Sequence, residues 1–467
     1  MYIDSHAHIF FEDYKSDIDD VLARARNAGI EAVIVPGTTL ETSREAVELA
    51  QRHDDVFATV GIHPHDASKA TPDVLHQIEE LSNSPKVVAI GEIGVDYHYD
   101  FSPRDVQREV FRKQIDIAIR RNLPVVVHTR ESLEDALSAV QSAVTEHPEW
   151  RKTGDGVHTR YPALRGVFHC FPGGPEDVWK LLDMGFLVSY PGIVTFKNSP
   201  AIETLKKTGF DHILLETDSP FMSPVPLRGK RNEPANVVLI AKKIAEVFGV
   251  SEEDVARTAT FNTKRLFGIG PADPPRIAYK LRNSLYLNIT LRCNADCIFC
   301  DRKGDAIVKG HNLKIEKEPT SEEVISAIGD PRAYDEVVFC GYGEPTIRLD
   351  VVKQVAAWTK EHGGRVRLNT DGHGNIINHR NIVPELAGLI DSVSISLNSV
   401  DPAQYGRIMR LDGERYHTAM IEFAQECKKH LPEVVMTIVG IDEVDTASAR
   451  EFVENRVGVT FRVRPYF

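Results

Sequence analysis

Two sets of side chains in this 467-residue sequence are of types that bind metals. The first set consists of histidines and acidic residues that follow short apolar runs in the N-terminal half: His6, His8, His63, His65, Glu92, His128, His169, Glu216 and Asp218. The second set is a group of three cysteines, Cys293, Cys297 and Cys300, in the stretch "CNADCIFC". Imidazole and carboxylate groups bind divalent cations, whereas clustered thiolates bind zinc or iron–sulfur clusters. The two halves of the chain are therefore predicted to carry different chemistry.

The first set needs a scaffold that brings residues distant in sequence together. Continuous apolar runs of this length are typical of parallel strands that are buried on both faces. Segments with helical periodicity separate them, and the first of these, "DIDDVLARARNAG", ends at a glycine suited to a helix C-cap. The runs are "MYIDSHAH", "EAVIVPG", "VFATVGIHP", "VVAIGEIG", "PVVVHTR", "RGVFHCF", "FLVSYPG" and "ILLETDSP". Eight strand–helix units predict an α/β fold, a (β/α)8 TIM barrel whose strand ends converge on one mouth.

The residues at those strand ends could hold two metal ions. His6 and His8 are two residues apart on an extended strand, so their side chains project to the same side and could chelate one ion. Glu92 could bridge two ions, and Asp218 could bind metal or orient the attacking water. The predicted metal ligands are His6, His8, Glu92, His128, His169 and Asp218. Two neighbouring cations promote metal-assisted hydrolysis of phosphoryl or acyl groups, and the mixed ligands leave Mg, Mn and Zn all open.

The alternation of predicted strands and helices resumes after a segment rich in proline and glycine. Residues 269–280, "IGPADPPRIAYK", have no helical periodicity, so we predict a linker there between domains at 1–268 and 281–467. Six βα units cannot close a standard eight-stranded barrel, so the second domain is predicted to be an open, partial (β/α)6 barrel. Its strand candidates are "SLYLNITLRC", "EVVFCGYGEP", "VRLNTDG", "DSVSISLNS", "VVMTIVGI" and "VTFRVRPY".

Composition limits the partners and the compartment. The formal net charge is −13, which argues against an extended basic track along a duplex and favours a DNA end or a nucleotide-like small substrate. Neither a membrane-length apolar run nor a signal-peptide pattern is present, so we expect a cytoplasmic protein with no membrane partner. Residues 145–166 are longer than a usual connection between strands and are predicted to pass over the barrel mouth.

The cysteine spacing, C-x3-C-x2-C, suits a loop around one face of an iron–sulfur cubane. Three thiolates would bind three irons and leave the fourth open, whereas structural zinc normally takes four protein ligands. Gly341 and Gly343 in "GYGEP" would allow a ligand to approach the backbone, and Glu344 could pair with an ammonium group. The polar residues at the next strand ends predict a pocket for a zwitterionic, nucleoside-like ligand: Asn369, Ser396 and Asn398. Cys340 and Cys427 are expected to be packing residues.

Residues 1–268 resemble the TatD family of metal-dependent deoxyribonucleases within the amidohydrolase-like TIM barrels. The motifs that carry the resemblance occur in order: "DSHAH", "GIHPH", "GEIGVDYHYD", "VVVHTR", "GVFHCF", "LLETDSP" and "RGKRNEP". The resemblance implies that the six ligands named above bind metal and that the activity is phosphodiester hydrolysis, often exonucleolytic. It also implies roles next to the substrate phosphate for His63 and His65, which we count with Glu92 and Asp218 as catalytic candidates, and for Arg231 as a substrate-binding residue.

Residues 281–467 resemble the radical S-adenosylmethionine superfamily, through the cysteine loop, the aromatic Phe299 before its last cysteine, and the glycine-rich motif ending in Glu344. The resemblance implies a [4Fe-4S] cluster on the three cysteines and S-adenosylmethionine on the fourth iron. Gly343 and Glu344 would contact the amino-acid part of that cofactor, and Val439 its adenine. Such chemistry implies an electron donor such as flavodoxin or ferredoxin.

The sequence thus predicts a bifunctional enzyme, a metal-dependent phosphodiesterase joined to a radical enzyme that acts on a related nucleotide substrate. One alternative is an amidohydrolase-type barrel that cuts a C–N or ester bond in the product of the radical domain. Another is that one of the barrels is a docking module without catalysis.

Overall fold

The computed structural model describes residues 1–151, 163–271, 273–441 and 443–465. These residues divide into two compact units, the first ending at Pro271 and the second following it. Each unit has its own cluster of buried apolar side chains. Half of the long connection predicted to pass over the barrel mouth, residues 152–162, lies outside the described residues. No described helix combines the length and the apolar composition that crossing a lipid bilayer requires.

The described part of the first unit contains the eight predicted strands, all parallel and paired in sequence order. Closure is between the first and last strands, where the Ser5 amide donates to the Leu215 carbonyl at 2.9 Å and Ala7 pairs with Ser219. The predicted TIM barrel is therefore confirmed. Its strands are β1 (Tyr2–Asp4), β2 (Ile30–Pro36), β3 (Val56–Val60), β4 (Val87–Asp96), β5 (Val125–Arg130), β6 (Gly166–Phe168), β7 (Phe186–Tyr190) and β8 (Ile213–Leu215).

Helices cover the outside of this barrel because each presents an apolar stripe to the strands. The first ends just before Gly29, whose φ of +85° terminates the helix as predicted. Thr39 and Thr42 form a capping box at the start of the second. The helices are α1 (Ile18–Asn27), α2 (Leu40–Arg52), α3 (Pro72–Leu81), α4 (Arg104–Arg121), α5 (Leu133–Glu146), α6 (Pro175–Asp183), α7 (Pro200–Thr208), α8 (Val237–Phe248) and α9 (Glu252–Phe267).

One end of the barrel is filled with apolar side chains. Residues near the starts of the strands, among them Ile3, Ile34 and Val88, form an apolar cluster together with Leu266 and Phe267 at the end of α9. A TIM barrel is a packed core and not a pore. The predicted metal ligands lie at the other end, where the strands terminate.

The second unit has a mixed sheet of seven strands. Their spatial order is 460–465, 433–440, 392–396, 366–370, 337–339, 284–287 and 278–281. The six predicted strands are present and parallel, which confirms the partial barrel. Residues 278–281 form a further strand that pairs antiparallel with β10, although we predicted a linker over most of this stretch. The strands are β9 (Ala278–Leu281), β10 (Ser284–Leu287), the short hairpin β11 (Ile307–Val308) and β12 (His311–Asn312), β13 (Val337–Phe339), β14 (Val366–Thr370), β15 (Ser392–Ser396), β16 (Glu433–Gly440) and β17 (Thr460–Pro465).

The helices of the second unit connect these strands, as parallel pairing requires. Residues 452–457 continue the last helix as a π-helical segment. The helices are α10 (Ser321–Ile328), α11 (Leu349–Glu361), α12 (Gly374–Ile377), α13 (Val383–Leu386), α14 (Pro402–Met409), α15 (Gly413–His430) and α16 (Thr446–Glu451). Short 3-10 helices lie at Glu12–Tyr14, Pro64–Lys69, Gly192–Thr195, Pro234–Asn236, Asp301–Lys303, Pro331–Ala333 and Pro345–Arg348.

Candidate metal centre and cysteine cavity

The histidines after β1 are held in place by a buried carboxylate at the end of that strand. Asp4 accepts a hydrogen bond from the amide of His6 at 3.3 Å and from the amide of Thr217 at 2.9 Å. It also accepts one from the Thr217 hydroxyl at 2.5 Å. This network joins the ends of β1 and β8. The backbone carrying His6 and His8 is therefore fixed against the segment that carries Asp218.

Four donor atoms surround a space large enough for one cation. Nε2 of His6 lies 3.1 Å from Nε2 of His8. Oε2 of Glu92 is 3.4 and 3.5 Å from these two nitrogens, and Oδ1 of Asp218 is 3.9 and 3.5 Å from them. Ligands at about 2.1 Å from a tetrahedral ion are about 3.4 Å from one another. The spacing of these atoms therefore fits a bound metal ion.

The other oxygen of Glu92 faces a second group of histidines. Oε1 lies 2.9 Å from Nε2 of His169, 3.0 Å from Nδ1 of His128 and 3.5 Å from Nε2 of His63. The two imidazole nitrogens of His128 and His169 are 3.3 Å apart. Glu92 thus stands between two sets of donors, one for each of its oxygens, as a carboxylate that bridges two cations would. The six predicted ligands are all brought together here, and His63 joins them.

Burial and charge prepare these groups differently for a cation. Burial lowers the pKa of His6 and of His63 to about 4, so both imidazoles are neutral near pH 7 and able to bind metal. Burial opposes charge on His169 too, but the nearby Glu92 raises the pKa of His169 to about 9. A cation at the second group would therefore have to displace a proton from His169.

Asp96 is a residue of this site that the sequence reasoning missed. Its Oδ2 accepts hydrogen bonds from Nε2 of His128 and Nε2 of His65, both at 3.0 Å. Since the carboxylate can only accept, it holds the His128 ring with its other nitrogen toward Glu92. The sequence "GEIGVDYHYD" contained a signal for it: Asp96 lies four residues after Glu92 on β4, and side chains an even number of residues apart on a strand point to the same side. His65 is therefore linked to the metal centre indirectly, through the Asp96 carboxylate that it shares with His128.

Glu216 and Cys170 lie behind His169. Glu216 accepts hydrogen bonds from the Cys170 amide and the Ser189 hydroxyl, both at 2.7 Å, so its oxygens are occupied by the protein itself. The Cys170 thiol lies 3.6 Å from Oδ2 of Asp218. One donor atom each of His169, Cys170 and Glu216 nevertheless lies within 4.8 Å of the others, so this group too has the spacing of metal ligands.

Arg231 lies at the rim and is engaged by other groups. Its guanidinium donates to both oxygens of Asp17 at 2.8 and 2.7 Å and stacks over the Tyr14 ring at 4.7 Å. It also lines a surface groove with Phe221 and Lys230. A substrate-binding role for Arg231 stays a prediction.

The cysteines lie on a loop between β10 and the 3-10 helix at Asp301–Lys303, and the rest of the unit anchors that loop. The amides of Asp296 and Ile298 donate to the carbonyls of Met409 and Ile408 at the end of α14. The Arg302 guanidinium donates to the carbonyls of Leu291 and Ala295 at 3.2 and 3.0 Å. The loop is thus fixed from two sides, and none of its three cysteines forms a disulfide.

The three thiols line a cavity of about 140 Å³ that also receives the ends of β13, β14 and β15. Gly343 is required here, because a Cβ atom would lie 2.3 Å from the Thr290 carbonyl oxygen. Val439 is not among the described residues that line the cavity, and its contact with adenine stays a prediction. The predicted residues that do line it are Phe299, Gly341, Gly343, Glu344, Asn369, Ser396 and Asn398.

Glu344 is buried in the wall of this cavity. It accepts hydrogen bonds from the hydroxyls of Thr346 and Thr370 at 2.6 and 2.9 Å and from the Asp371 amide at 2.8 Å. Burial, together with the Asp371 carboxylate, raises the pKa of Glu344 to about 8. A positively charged ligand would reverse this effect by favouring the carboxylate. The environment therefore suits the ammonium partner predicted for Glu344.

Several residues that line the cavity were not anticipated, among them Cys340, Asp371 and Arg464. Arg464, on β17, donates to the Ser396 hydroxyl at 3.2 Å. Asp371 follows the predicted Asn369 by two residues, and Cys340 lines the cavity as well. Cys340 follows the last residue of β13, Phe339, and lines the cavity in addition to the packing expected of it. Cys427, by contrast, is fully buried in the apolar core, as expected.

The donor set fits a cationic cluster. Burial, with Asp371 nearby, raises the pKa of the Cys293 thiol to about 12, and burial also raises the pKa of the Cys297 and Cys300 thiols. Thiolates are the ligands that iron requires, and here they would form only with the cations that they bind. The arrangement fits the iron–sulfur cluster expected from the sequence.

Comparison with known proteins identifies both units. Residues 3–268 match the family model described as TatD related DNase. The chain belongs to the TatD family. Residues 287–455 match the Radical SAM superfamily, so this TatD-family chain carries a radical S-adenosylmethionine domain after its barrel. The first unit is a metal-dependent hydrolase domain and the second a radical enzyme domain.

Relatives of this TatD-family chain align with its first unit. An uncharacterized metal-dependent hydrolase, YabD of Bacillus subtilis (strain 168), is 40% identical over 270 residues, which are 58% of this chain and 100% of that protein. The 3'-5' ssDNA/RNA exonuclease TatD of Pantoea ananatis is 32% identical over 263 residues, 55% of this chain and 95% of its own. The crystal structure of YJJV, a TatD homolog from Escherichia coli K12, aligns with a TM-score of 0.52 and 26% identity over 58% of this chain and 98% of that one.

Proposed function

We propose that the protein is a bifunctional enzyme whose first unit hydrolyses phosphodiester bonds at the end of an unpaired nucleic-acid strand, with two divalent cations. The position of Glu92 between two sets of nitrogen donors, at 2.9 to 3.5 Å on either side, is the observation that carries this proposal. Support comes from the Pantoea ananatis relative, which is a 3'-5' ssDNA/RNA exonuclease. In such a site the cations activate water and neutralise charge on the phosphate.

The residues of the chain divide the remaining work. His6 and His8 would hold one cation, and His128 and His169 the other, with Glu92 between them. Asp218, whose Oδ1 lies 3.5 Å from Nε2 of His8, would bind the first cation or orient the attacking water. His63 and His65, at the rim of the second group, contact the phosphate oxygens.

The second unit would hold a [4Fe-4S] cluster on Cys293, Cys297 and Cys300 and S-adenosylmethionine in the adjoining cavity. When bound, the pair supplies reductive cleavage of the sulfonium bond and hydrogen abstraction. Glu344 would bind the amino group of the cofactor, and Asn369 and Asn398 would bind its hydroxyl groups. The substrate of this half would be nucleotide-related, since the barrel in the same chain acts on nucleic acid.

The hydrolase half is tested on the purified chain with single-stranded oligonucleotides labelled at either end. With Mn²⁺ or Mg²⁺ we expect stepwise release of mononucleotides, and no release in EDTA. A parallel set of small amides and carboxylic esters serves as the competing class. Turnover of amides or esters, with oligonucleotides untouched under all metals, would replace phosphodiester hydrolysis with amidohydrolase chemistry.

The radical half is tested by anaerobic purification. We expect about four irons and four sulfides per chain, and 5'-deoxyadenosine when S-adenosylmethionine and dithionite are added, with more product in the presence of the true nucleotide. A chain that stays free of iron after anaerobic reconstitution would rule this half out.

A further inference from the structure

Several large apolar side chains are exposed at the mouth of the barrel. Phe101 is 66% exposed and Phe221 52%, and Tyr99 and Met222 are exposed as well. These residues follow the ends of β4 and β8, beside the candidate metal ligands. Isolated exposed apolar residues are ordinary, but a group at the rim of a polar site marks a ligand contact. We therefore considered what these rings could bind.

The first pair of rings, Tyr99 and Phe101, forms a stacked platform next to one half of the centre. Their centroids are 5.3 Å apart with an angle of 25° between the planes. Phe101 contacts the His65 ring at 4.9 Å, and the Arg130 guanidinium lies over Tyr99 at 5.0 Å. His65 shares the Asp96 carboxylate with His128. This first platform thus adjoins the donors on the Oε1 side of Glu92.

The second platform consists of Phe11 and Phe221, whose centroids are 6.0 Å apart and whose planes meet at 72°, so Phe221 is its exposed ring and Phe11 supports it from the side. Phe11 stacks on the His8 ring at 5.0 Å with an angle of 13°, and Phe221 meets the same ring edge-on at 6.4 Å. His8 belongs to the donors that face Oε2 of Glu92. The two platforms therefore lie next to different halves of the metal centre.

A basic groove continues from the second platform. It has a volume of about 520 Å³ and is lined by Phe221, Met222, Arg228, Lys230 and Arg231, with Asp13 as an acidic member. Arg231 forms an ion pair with Asp17. The other two cations differ: the Arg228 guanidinium stacks over the Phe196 ring at 4.3 Å, and Lys230 is exposed. Three cations at one groove contrast with the net charge of −13 for the chain.

Exposed rings combined with a cationic groove are the features that bind single strands. Unpaired bases stack on aromatic faces regardless of sequence, and lysine and arginine follow the phosphates. Bases within a duplex are already stacked on their neighbours, so these platforms would gain little from one. A small amide or ester would leave the groove unused.

We propose that the two platforms bind the nucleobases on either side of the scissile phosphodiester, and that Arg228 and Lys230 bind phosphates of the strand beyond Phe221. This inference rests on the proposed function for the first unit. The terminal base stacks on Tyr99 and Phe101, since the basic groove begins only at the other platform. The enzyme would then require at least two unpaired nucleotides.

Binding is measured on the full chain with Glu92→Gln, so that the strand is not consumed, by fluorescence anisotropy with a fluorescein-labelled single-stranded 12-mer. Phe101→Ala and Phe221→Ala should each weaken binding about ten-fold, as loss of one stacked base does. Arg228→Ala should lower the dependence of log K on log salt by about 0.7. Trp179→Ala, an exposed ring on α6, is the matched control and should leave affinity unchanged.

An abasic nucleotide at the cleaved end locates the first platform. If Phe101 stacks on that base, its replacement by alanine should have no further effect on the abasic strand, although Phe221→Ala still weakens binding. Equal affinities of all variants for both strands would overturn the inference. So would a tighter affinity for duplex than for single strands.

Hydrolysis of methyl 4-nitrophenyl phosphate, a phosphodiester without nucleobases, separates this inference from the proposed function. Metal-dependent turnover of that diester, with unaltered strand affinity in the ring variants, would leave phosphodiester hydrolysis standing and refute the platforms. Ring-dependent strand binding without turnover of any phosphodiester would support the platforms and refute the hydrolysis.

Discussion

The metal centre of the first unit and the cysteine cavity of the second differ in how the backbone prepares them. The metal-binding candidates His6, Glu92 and His169 are at most 4% exposed and lie within strands or directly after them. The cysteines are half-buried and lie on a loop. A strand end fixes its side chain through the sheet, whereas a loop is fixed only by its own anchors.

This difference has a thermodynamic consequence. The donors of the metal centre already surround a cation-sized space, so little reorganisation is needed when the ions bind. In the cavity, burial keeps the thiols protonated until iron binds, as the raised pKa of Cys293 indicates. We expect the second site to depend more strongly on its cofactor for order than the first.

Removing one cysteine should have the largest effect. Cys297→Ala takes away one of three thiolates, so we expect the chain to lose its cluster and its 5'-deoxyadenosine formation entirely. Iron and sulfide analysis and the visible spectrum measure the loss. Oligonucleotide hydrolysis by the same variant should be unchanged.

The control for that variant is Cys427→Ala, since Cys427 is buried in the apolar core away from the cavity. It should retain the full iron content. A Cys297→Ala protein with normal iron would mean that the cluster has other ligands.

The converse change is Glu92→Gln, which removes the charge shared by both sets of nitrogens. We expect hydrolysis to fall by about 10³-fold or more, because several kcal/mol of transition-state stabilisation depend on the two cations. Steady-state kinetics with Mn²⁺ measures this loss, while iron content and 5'-deoxyadenosine yield serve as internal controls. A simultaneous loss of both activities would show that the two sites are coupled.

The comparison also explains which features could be predicted from the sequence. Parallel strands buried on both faces leave continuous apolar runs, so all eight strands of the barrel and the six parallel strands of the second unit were recognisable. The strand at Ala278–Leu281 was missed because it is short, follows a proline-rich segment and pairs antiparallel at an edge. Its stability comes from its neighbour and not from its own composition.

Ligand positions were predictable for the same reason, since strand ends must converge. What the sequence could not reveal is which polar groups face one another. In the sequence, Asp96 and Arg464 look like ordinary polar residues of a strand. Only the folded structure brings them into contact with His128 and Ser396.

A smaller effect is expected from Asp96→Asn, which keeps the shape but removes the charge that orients His128 and His65. Loss of such a carboxylate partner typically weakens metal affinity by about 10- to 100-fold. Titration of the second Mn²⁺, followed by electron paramagnetic resonance, measures it. The matched control is Asp135→Asn on α5, a carboxylate that pairs with Tyr97 and Arg108, and it should leave metal affinity unaltered.

The smallest effect concerns pH and separates the two halves of the metal centre. Glu92 raises the pKa of His169 to about 9, although burial opposes this charge, so below that pH a cation must displace one proton from His169. The affinity for the second ion should therefore rise at least ten-fold per pH unit from pH 6.5 to 8.5, and binding should release the proton of His169. Although burial opposes it, Asp96 raises the pKa of His128 too, so the lower part of this range includes proton release from His128. Burial lowers the pKa of His6 to about 4, so protonation of His6 contributes no such slope to the first ion in this range. Calorimetric titration in buffers of different ionisation enthalpy measures the proton release. His169→Asn should remove the proton release that His169 contributes. If the affinity of the unchanged chain for the second ion did not depend on pH, His169 would be neutral before metal binds.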